Sequence, residues 1–120
     1  MAGDSTAWTS STPLDAELSV TLDNPGQTVT VEVTAPSTIT AGELAFEALG
    51  PDGTTWFPIG LVPIDTNASP VTSLTFAGAA VSDVWVSSSD NASLFGEFRV
   101  VLATVLTGTG SVTVTIGKAD

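Results

Sequence analysis

Gly42-Glu-Leu-Ala-Phe-Glu-Ala-Leu-Gly-Pro-Asp-Gly-Thr-Thr-Trp-Phe-Pro-Ile59 is the stretch whose reading decides the fold. Leu44, Phe46 and Ala48 fall on one side of an extended chain and Glu43, Ala45 and Glu47 on the other, the period of two that marks a half-buried strand. Gly50-Pro51-Asp52-Gly53 then reverses it. Pro51 fixes φ at the first central position, Asp52 bonds its own backbone, and Gly53 accepts a positive φ. The returning strand, Thr54 to Ile59, carries Trp56, the largest candidate for the core. The stretch reads as a hairpin that seeds a β-sandwich, and it points to no chemistry.

The same alternation continues on both sides. Leu18, Val20 and Leu22 share a face between Glu17 and Leu22, and Val29, Val31 and Val33 share one between Thr28 and Thr34. Asp23-Asn24-Pro25-Gly26 between them is a strong turn signal, so the two strands are expected to pair as an antiparallel meander. Ala35 to Ala41 reads as a loop into the hairpin. Beyond Ile59, Pro63 and Pro70 interrupt residues 60–70, a connection suited to a chain crossing between sheets. Short strands follow at Val71 to Phe76 and at Val81 to Ser87. In the latter, Trp85 falls opposite Val84 and Val86, so either the valines form the core, or Trp85 does and the valines meet a second packing surface. After the polar loop Ser88 to Ser93, Glu97 to Val105 has few polar outward positions, which suggests a central strand covered on both sides. Leu106 to Gly110 turns it, and Ser111 to Gly117 ends the pattern with Val112, Val114 and Ile116 inward.

These spacings predict an all-β fold, a single antiparallel β-sandwich over residues 15–120 that is jelly-roll-like, with seven to eight strands. Residues 1–14, rich in Asp, Ser and Thr with Trp8 the large apolar side chain before Leu14, read as an N-terminal extended arm. Trp8 then has two roles open to it: folding back over the open end of the sandwich, or anchoring in a neighbouring subunit, where aromatic side chains carry much of the binding energy.

Composition narrows the function. Thirteen acidic residues face two basic ones, Arg99 and Lys118, for a formal charge of −11. Such a surface repels phosphate backbones, and nucleic acid is not an expected partner. No run approaches the roughly 20 apolar residues of a membrane helix, and Met1-Ala-Gly-Asp-Ser-Thr lacks the basic start and apolar run of a secretory signal. Synthesis in the cytoplasm and no membrane role are expected. The chain has no Cys, so no disulfide or thiolate site. Charged residues make up only 12%, and a weakly charged, hydroxyl-covered surface suits life inside an assembly.

No His, Cys or Tyr is available as nucleophile or base, so acid–base work would fall to carboxylates such as Glu43, Glu47 or Asp52. A solvated strand face and a turn explain these without catalysis; no catalytic residue, cofactor or metal is expected. Asp52, Asp65, Asp90 and Asn91 offer hard oxygens for calcium, but match no cation loop. A carbohydrate-binding module is the better rival, because three Trp residues could form a stacking platform; against it, Trp56 follows a tight turn on a hairpin whose inner face needs a large residue. Arg99 shares the outer face with Glu97, and Glu47 holds the equivalent face of the hairpin strand, so an ion pair to Glu47 or a nearby carboxylate is expected ahead of an intersubunit contact.

The pattern Gly42-x-Leu44-x-Phe46-Glu47, then Pro51-Asp52-Gly53-x-x-Trp56-x-Pro58-Ile59, with Glu97-Phe98-Arg99-Val100 and Thr107-Gly108-x-Gly110-Ser111 through Ile116, resembles tailed-bacteriophage virion β-sandwich proteins over about residues 15–118. In them a strand ending in Phe-Glu precedes an Asp-Gly-x-x-Trp turn, and a Phe-Arg-Val strand precedes a Thr-Gly-rich final hairpin. The resemblance implies a scaffold in which Trp56, Phe46, Asp52, Gly53, Arg99 and Glu47 are structural. It further implies a virion protein of the capsid decoration or cement type, placed on the capsid surface and bound, commonly as a homotrimer, to the major capsid protein. Tail, baseplate and fibre modules share the pattern; a free-standing domain with an arm, too short for fibre repeats, favours decoration. Trp8, Pro13, Leu14 and Trp85 are the expected partner-binding residues.

Overall fold

Valine at every second position of a β-branched run leaves the backbone few states other than extended, with a single greasy face to hide. Val29, Val31 and Val33 are fully buried, and so are Val112, Val114 and Ile116. In the computed structural model, which describes residues 3–23, 27–64, 69–87 and 96–119, these two triplets face the core from neighbouring strands, with Val33 opposite Val114 and Val31 opposite Ile116. Each such side chain contributes about 1.5–3 kcal/mol by leaving water. The alternation therefore settles which side of each strand is inside.

The described strands are β1 (Gly3–Trp8), β2 (Glu17–Thr21), β3 (Thr28–Ala35), β4 (Ile39–Leu49), β5 (Trp56–Pro58), β6 (Leu61–Pro63), β7 (Ser73–Thr75), β8 (Val81–Ser87), β9 (Glu97–Gly108) and β10 (Val112–Ala119). One sheet runs β1-β10-β3-β8-β6; the other runs β2-β9-β4-β5, with β7 also on β4. β5 and β7 share one edge of β4, pairing with residues 47–49 and 43–45 respectively, and act as a broken strand. With β6 set aside, the sheets read 1-10-3-8 and 2-9-4-5/7, the wrap of a jelly roll. All pairings are antiparallel, as expected, although the described strands number ten. The surplus comes from three-residue segments that Pro58, Pro63 and Pro70 keep short, and from β1.

The segment expected as an extended arm is extended, and it lies in the first sheet. Gly3 to Trp8 pairs with Gly117 to Val112 without a break in register. Its inward positions are Asp4, Thr6 and Trp8, so only the last carries an apolar signal.

Two pairings differ from the sequence reading. β2 and β3 do not form a meander: β2 pairs with β9 in one sheet, and β3 lies between β10 and β8 in the other. Leu22 is buried and donates its N–H to the Gly96 carbonyl, which carries the chain across the sandwich. Period two fixes the face of a strand and says nothing about its sheet. The Asn24-Pro25-Gly26 part of the expected turn lies outside the described residues, as does Ser88 to Ser93. In the same way β9 and β10 are not a final hairpin, because they belong to opposite sheets.

That last crossing is an arch, and it is built against another. Residues 36–38 carry β3 into β4, residues 109–111 carry β9 into β10, and the two stack. Thr109 N–H donates to the Thr38 carbonyl at 3.2 Å, and Thr38 Oγ1 donates to the Thr109 carbonyl at 2.6 Å. Gly108 has φ 121°, and a Cβ there would collide with the Thr38 carbonyl oxygen. Among the described strands, only β4 and β5 are consecutive neighbours in one sheet.

Candidate functional site

The polar side chains that come together lie on the outer face of the second sheet, around Arg99. β9 is central there, with β2 on one side and β4 on the other. Phe98, Val100 and Leu102 turn inward and are fully buried, so Arg99 must turn outward. Register places it opposite Glu47 on β4 and Ser19 on β2, with Glu17 one step along the same face, opposite Val101. Arg99 Nε donates to Glu47 Oε1 at 2.8 Å, and Nη2 lies 2.6 Å from the same oxygen; Nη1 donates to Glu17 Oε2 at 2.5 Å. The guanidinium carbon sits 4.2 Å from the centre of the Trp56 ring.

Trp56 is therefore not core. Leu49 pairs with Trp56 across the hairpin, and Leu49 lies two residues after outward-facing Glu47, so Trp56 is fixed to the outer face, half-buried. The indole covers one side of the guanidinium while two carboxylates hold its rim. Burial lowers the Arg99 pKa, but the hydrogen bonds it donates to Glu47 and Glu17, with their negative charges, outweigh burial and raise the value above that of an ordinary arginine. The cation is permanent. The Glu17 side chain is 43% exposed, so solvent screens that pair to the about 0–1 kcal/mol of surface bridges; the stacked, half-buried Trp56 contact adds about 0.5–2 kcal/mol. Each carboxylate gives one oxygen to the guanidinium, and the arrangement ties four strands together.

Asp52 is occupied in a comparable way. Its Oδ2 accepts from the Thr55 hydroxyl at 2.6 Å, and Oδ1 accepts from the backbone N–H groups of Thr54 and Thr55 at 3.0 and 2.9 Å. The Thr55 hydroxyl first, and then those two N–H groups, hold its carboxyl well below the usual carboxylate range. Gly53 closes the turn onto the Gly50 carbonyl at φ 75°. Asp65, Asp90 and Asn91 lie outside the described residues; among the described ones no group of three or more His, Cys, Asp or Glu side chains could hold a metal ion.

The four expected partner-binding residues separate into pairs. Trp8 and Trp85 are each only 5% exposed and belong to their own chain's core rather than to a contact surface. Trp85 bridges the sheets, its ring 6.3 Å from that of Phe46, and Trp8 seals the first sheet opposite Val112. Val84 and Val86 therefore take the outer face. Pro13 and Leu14 remain on the surface in the connection from β1 to β2, with Leu14 52% exposed. The three Trp residues line no common platform, since two lie inside the sandwich and Trp56 outside it under Arg99. Sequence reasoning missed Glu17 as the second carboxylate on Arg99; its signal needed the β2–β9 register. It also missed the exposed Phe57 and Ile64.

No protein-family model matches the chain, and no curated protein matches it. A solved structure, described as the crystal structure of SPBc2 prophage-derived protein YomS, is similar in fold, with a TM-score of 0.59 at 20% identity. The likeness covers 99% of this chain and 96% of that one, so the two share one β-sandwich architecture from end to end.

Proposed function

We propose that this chain is a non-catalytic building block of a tailed-phage particle and, within that role, a decoration protein that sits on the outer capsid surface as a homotrimer against the major capsid protein. The observation that carries the reading is the end-to-end likeness to a prophage-derived protein, 99% of one chain against 96% of the other. The sequence resemblance described above points the same way. The Arg99 cluster and the Asp52 turn suit a passive role, because their hydrogen bonds hold strands and a loop together. With Trp8 and Trp85 in the core, Pro13 and Leu14 are the residues left at the capsid contact. Leu14 would bury its apolar surface there, at about 25 cal/mol per Å² removed from water.

The test is co-sedimentation of the purified protein with separated heads and separated tails of the phage that encodes it. Retention on heads, weakened by Leu14→Asp, is the expected result. Retention on tails alone would make it a tail or baseplate module, and retention on neither would overturn the particle role.

A further inference from the structure

Every open β-sheet ends in strands whose outward N–H and C=O groups have no ladder partner, and proteins blunt such edges with shortness, proline, lysine or bulges. Three edges here are blunted. β5 and β7 are three residues each and β5 ends in Pro58, while β6 is three residues and ends in Pro63. β2 is five residues long, carries Glu17, and its Thr21 carbonyl accepts Lys118 Nζ at 2.8 Å. β1 is the least protected of the four, its one charged residue being Asp4. It is six residues, Gly-Asp-Ser-Thr-Ala-Trp, without proline, lysine or bulge, and its register to β10 is unbroken. Among the described residues, no backbone group outside that ladder bonds to it. Alternate residues of β1 thus point their backbone groups away from β10, free to pair.

The charge around this edge selects what can pair with it. β1 lies beside β2 on one flank of the sandwich, and that flank carries Asp4, Asp15, Glu17 and Asp23. Arg99 pairs with Glu17 and Lys118 with Asp23, so both cations are already engaged and Asp4 and Asp15 are the acids of this flank without an ion pair among the described residues. A second copy would bring another formal charge of −11. We propose that the free edge of β1 takes up an extended, lysine- or arginine-rich strand of a partner protein by backbone pairing. Main-chain bonds supply the affinity of such strand addition, and the opposite charges supply steering and choice of partner. This contact deepens the particle role proposed above.

The test titrates the whole protein with a capped peptide of alternating Lys and Val while amide hydrogen exchange is read by NMR. The outward amides of β1 should slow by about tenfold or more, and affinity should fall about tenfold between low and high salt. A peptide with Glu in place of Lys should not bind. Neighbouring strand N–H groups point to opposite sides, so one of Thr6→Pro and Ala7→Pro spares the β10 ladder; that variant should keep its melting temperature and lose the peptide. Ala7→Lys, at an exposed position, should weaken the Lys-Val peptide without touching the ladder. Unchanged exchange in β1 overturns the proposal. So does equal protection by the Glu peptide, or concentration-dependent protection without any peptide, which would make the occupant a second copy. Heads that bind the Pro variant as well as the parent protein would remove the edge from the particle contact while leaving the particle role standing.

Discussion

Gly53 and Gly108 both hold a positive φ, 75° and 121°, yet they sit in opposite surroundings. Gly53 closes the only connection between described strands that are consecutive neighbours in a sheet, and a Cβ built on it meets nothing within 4 Å. Everything that fixes the turn lies between Gly50 and Thr55: the Gly53 N–H to Gly50 carbonyl bond, the Asp52 cap, and the Gly50 N–H to Thr55 carbonyl bond at 2.7 Å. Gly108 lies in an arch whose other half is seventy residues earlier, and its missing Cβ leaves room for the Thr38 backbone. One glycine serves its own loop and the other serves a contact between two loops. A turn of the first kind can be read from a few residues; one of the second kind depends on a sheet order that no short window contains.

Substitution sharpens this contrast. Gly108→Val should be the most damaging, because the side chain meets backbone and the φ is hostile to a β-branched residue; a loss of about 3 kcal/mol or more is expected, read as a fall in urea midpoint or as failure to fold. Gly53→Ala keeps open space and should cost only about 1 kcal/mol, from the left-handed backbone alone. Equal losses at the two glycines would erase the distinction. Thr38→Val removes one exposed hydrogen bond of the stacked arches and should cost about 0.5–1 kcal/mol; a loss as large as that of Gly108→Val would mean the side chain, and not the close backbone approach, holds the corner.

Asp52→Asn should have the smallest effect, and it should depend on pH. A carboxyl whose folded pKa is depressed contributes stability above its unfolded pKa, near 3.9, and loses that contribution as pH falls through the folded value. The difference in melting temperature between parent and Asp52→Asn should therefore be complete at neutral pH and shrink below about pH 4. A gap that stays constant into strong acid would show that the cap acts through shape and not charge.

The strand faces were legible because period two is a local property. The triplets around Val31 and Val114, the Phe46 strand and the Asp52 turn follow from neighbouring residues. Strand parity also put Arg99 and Glu47 on one face, and the structure joins them. Trp56 was within reach of the same logic: counting from outward Glu47 through Leu49 and across the hairpin puts it outside, but its size suggested the core. β1 was hidden because its inward positions include Asp4 and Thr6, which carry no apolar signal; only the partner β10 makes it a strand. The sheet to which β2, β9 or β10 belongs was not legible, since both sheets offer the same kind of inner face.

The sheet order also constrains assembly of the chain during synthesis. β10 lies between β1 and β3, and β9 lies between β2 and β4, so each sheet waits on a strand translated long after its neighbours. Until residues 97–108 have left the ribosome, β2 and β4 stand beside a vacancy that β9 fills, and until residues 112–119 have left it, β1 and β3 stand beside one that β10 fills. Nascent chains stalled before residue 97 should remain protease-sensitive and in need of chaperones, with the second sheet completed by β9 and the first only by β10.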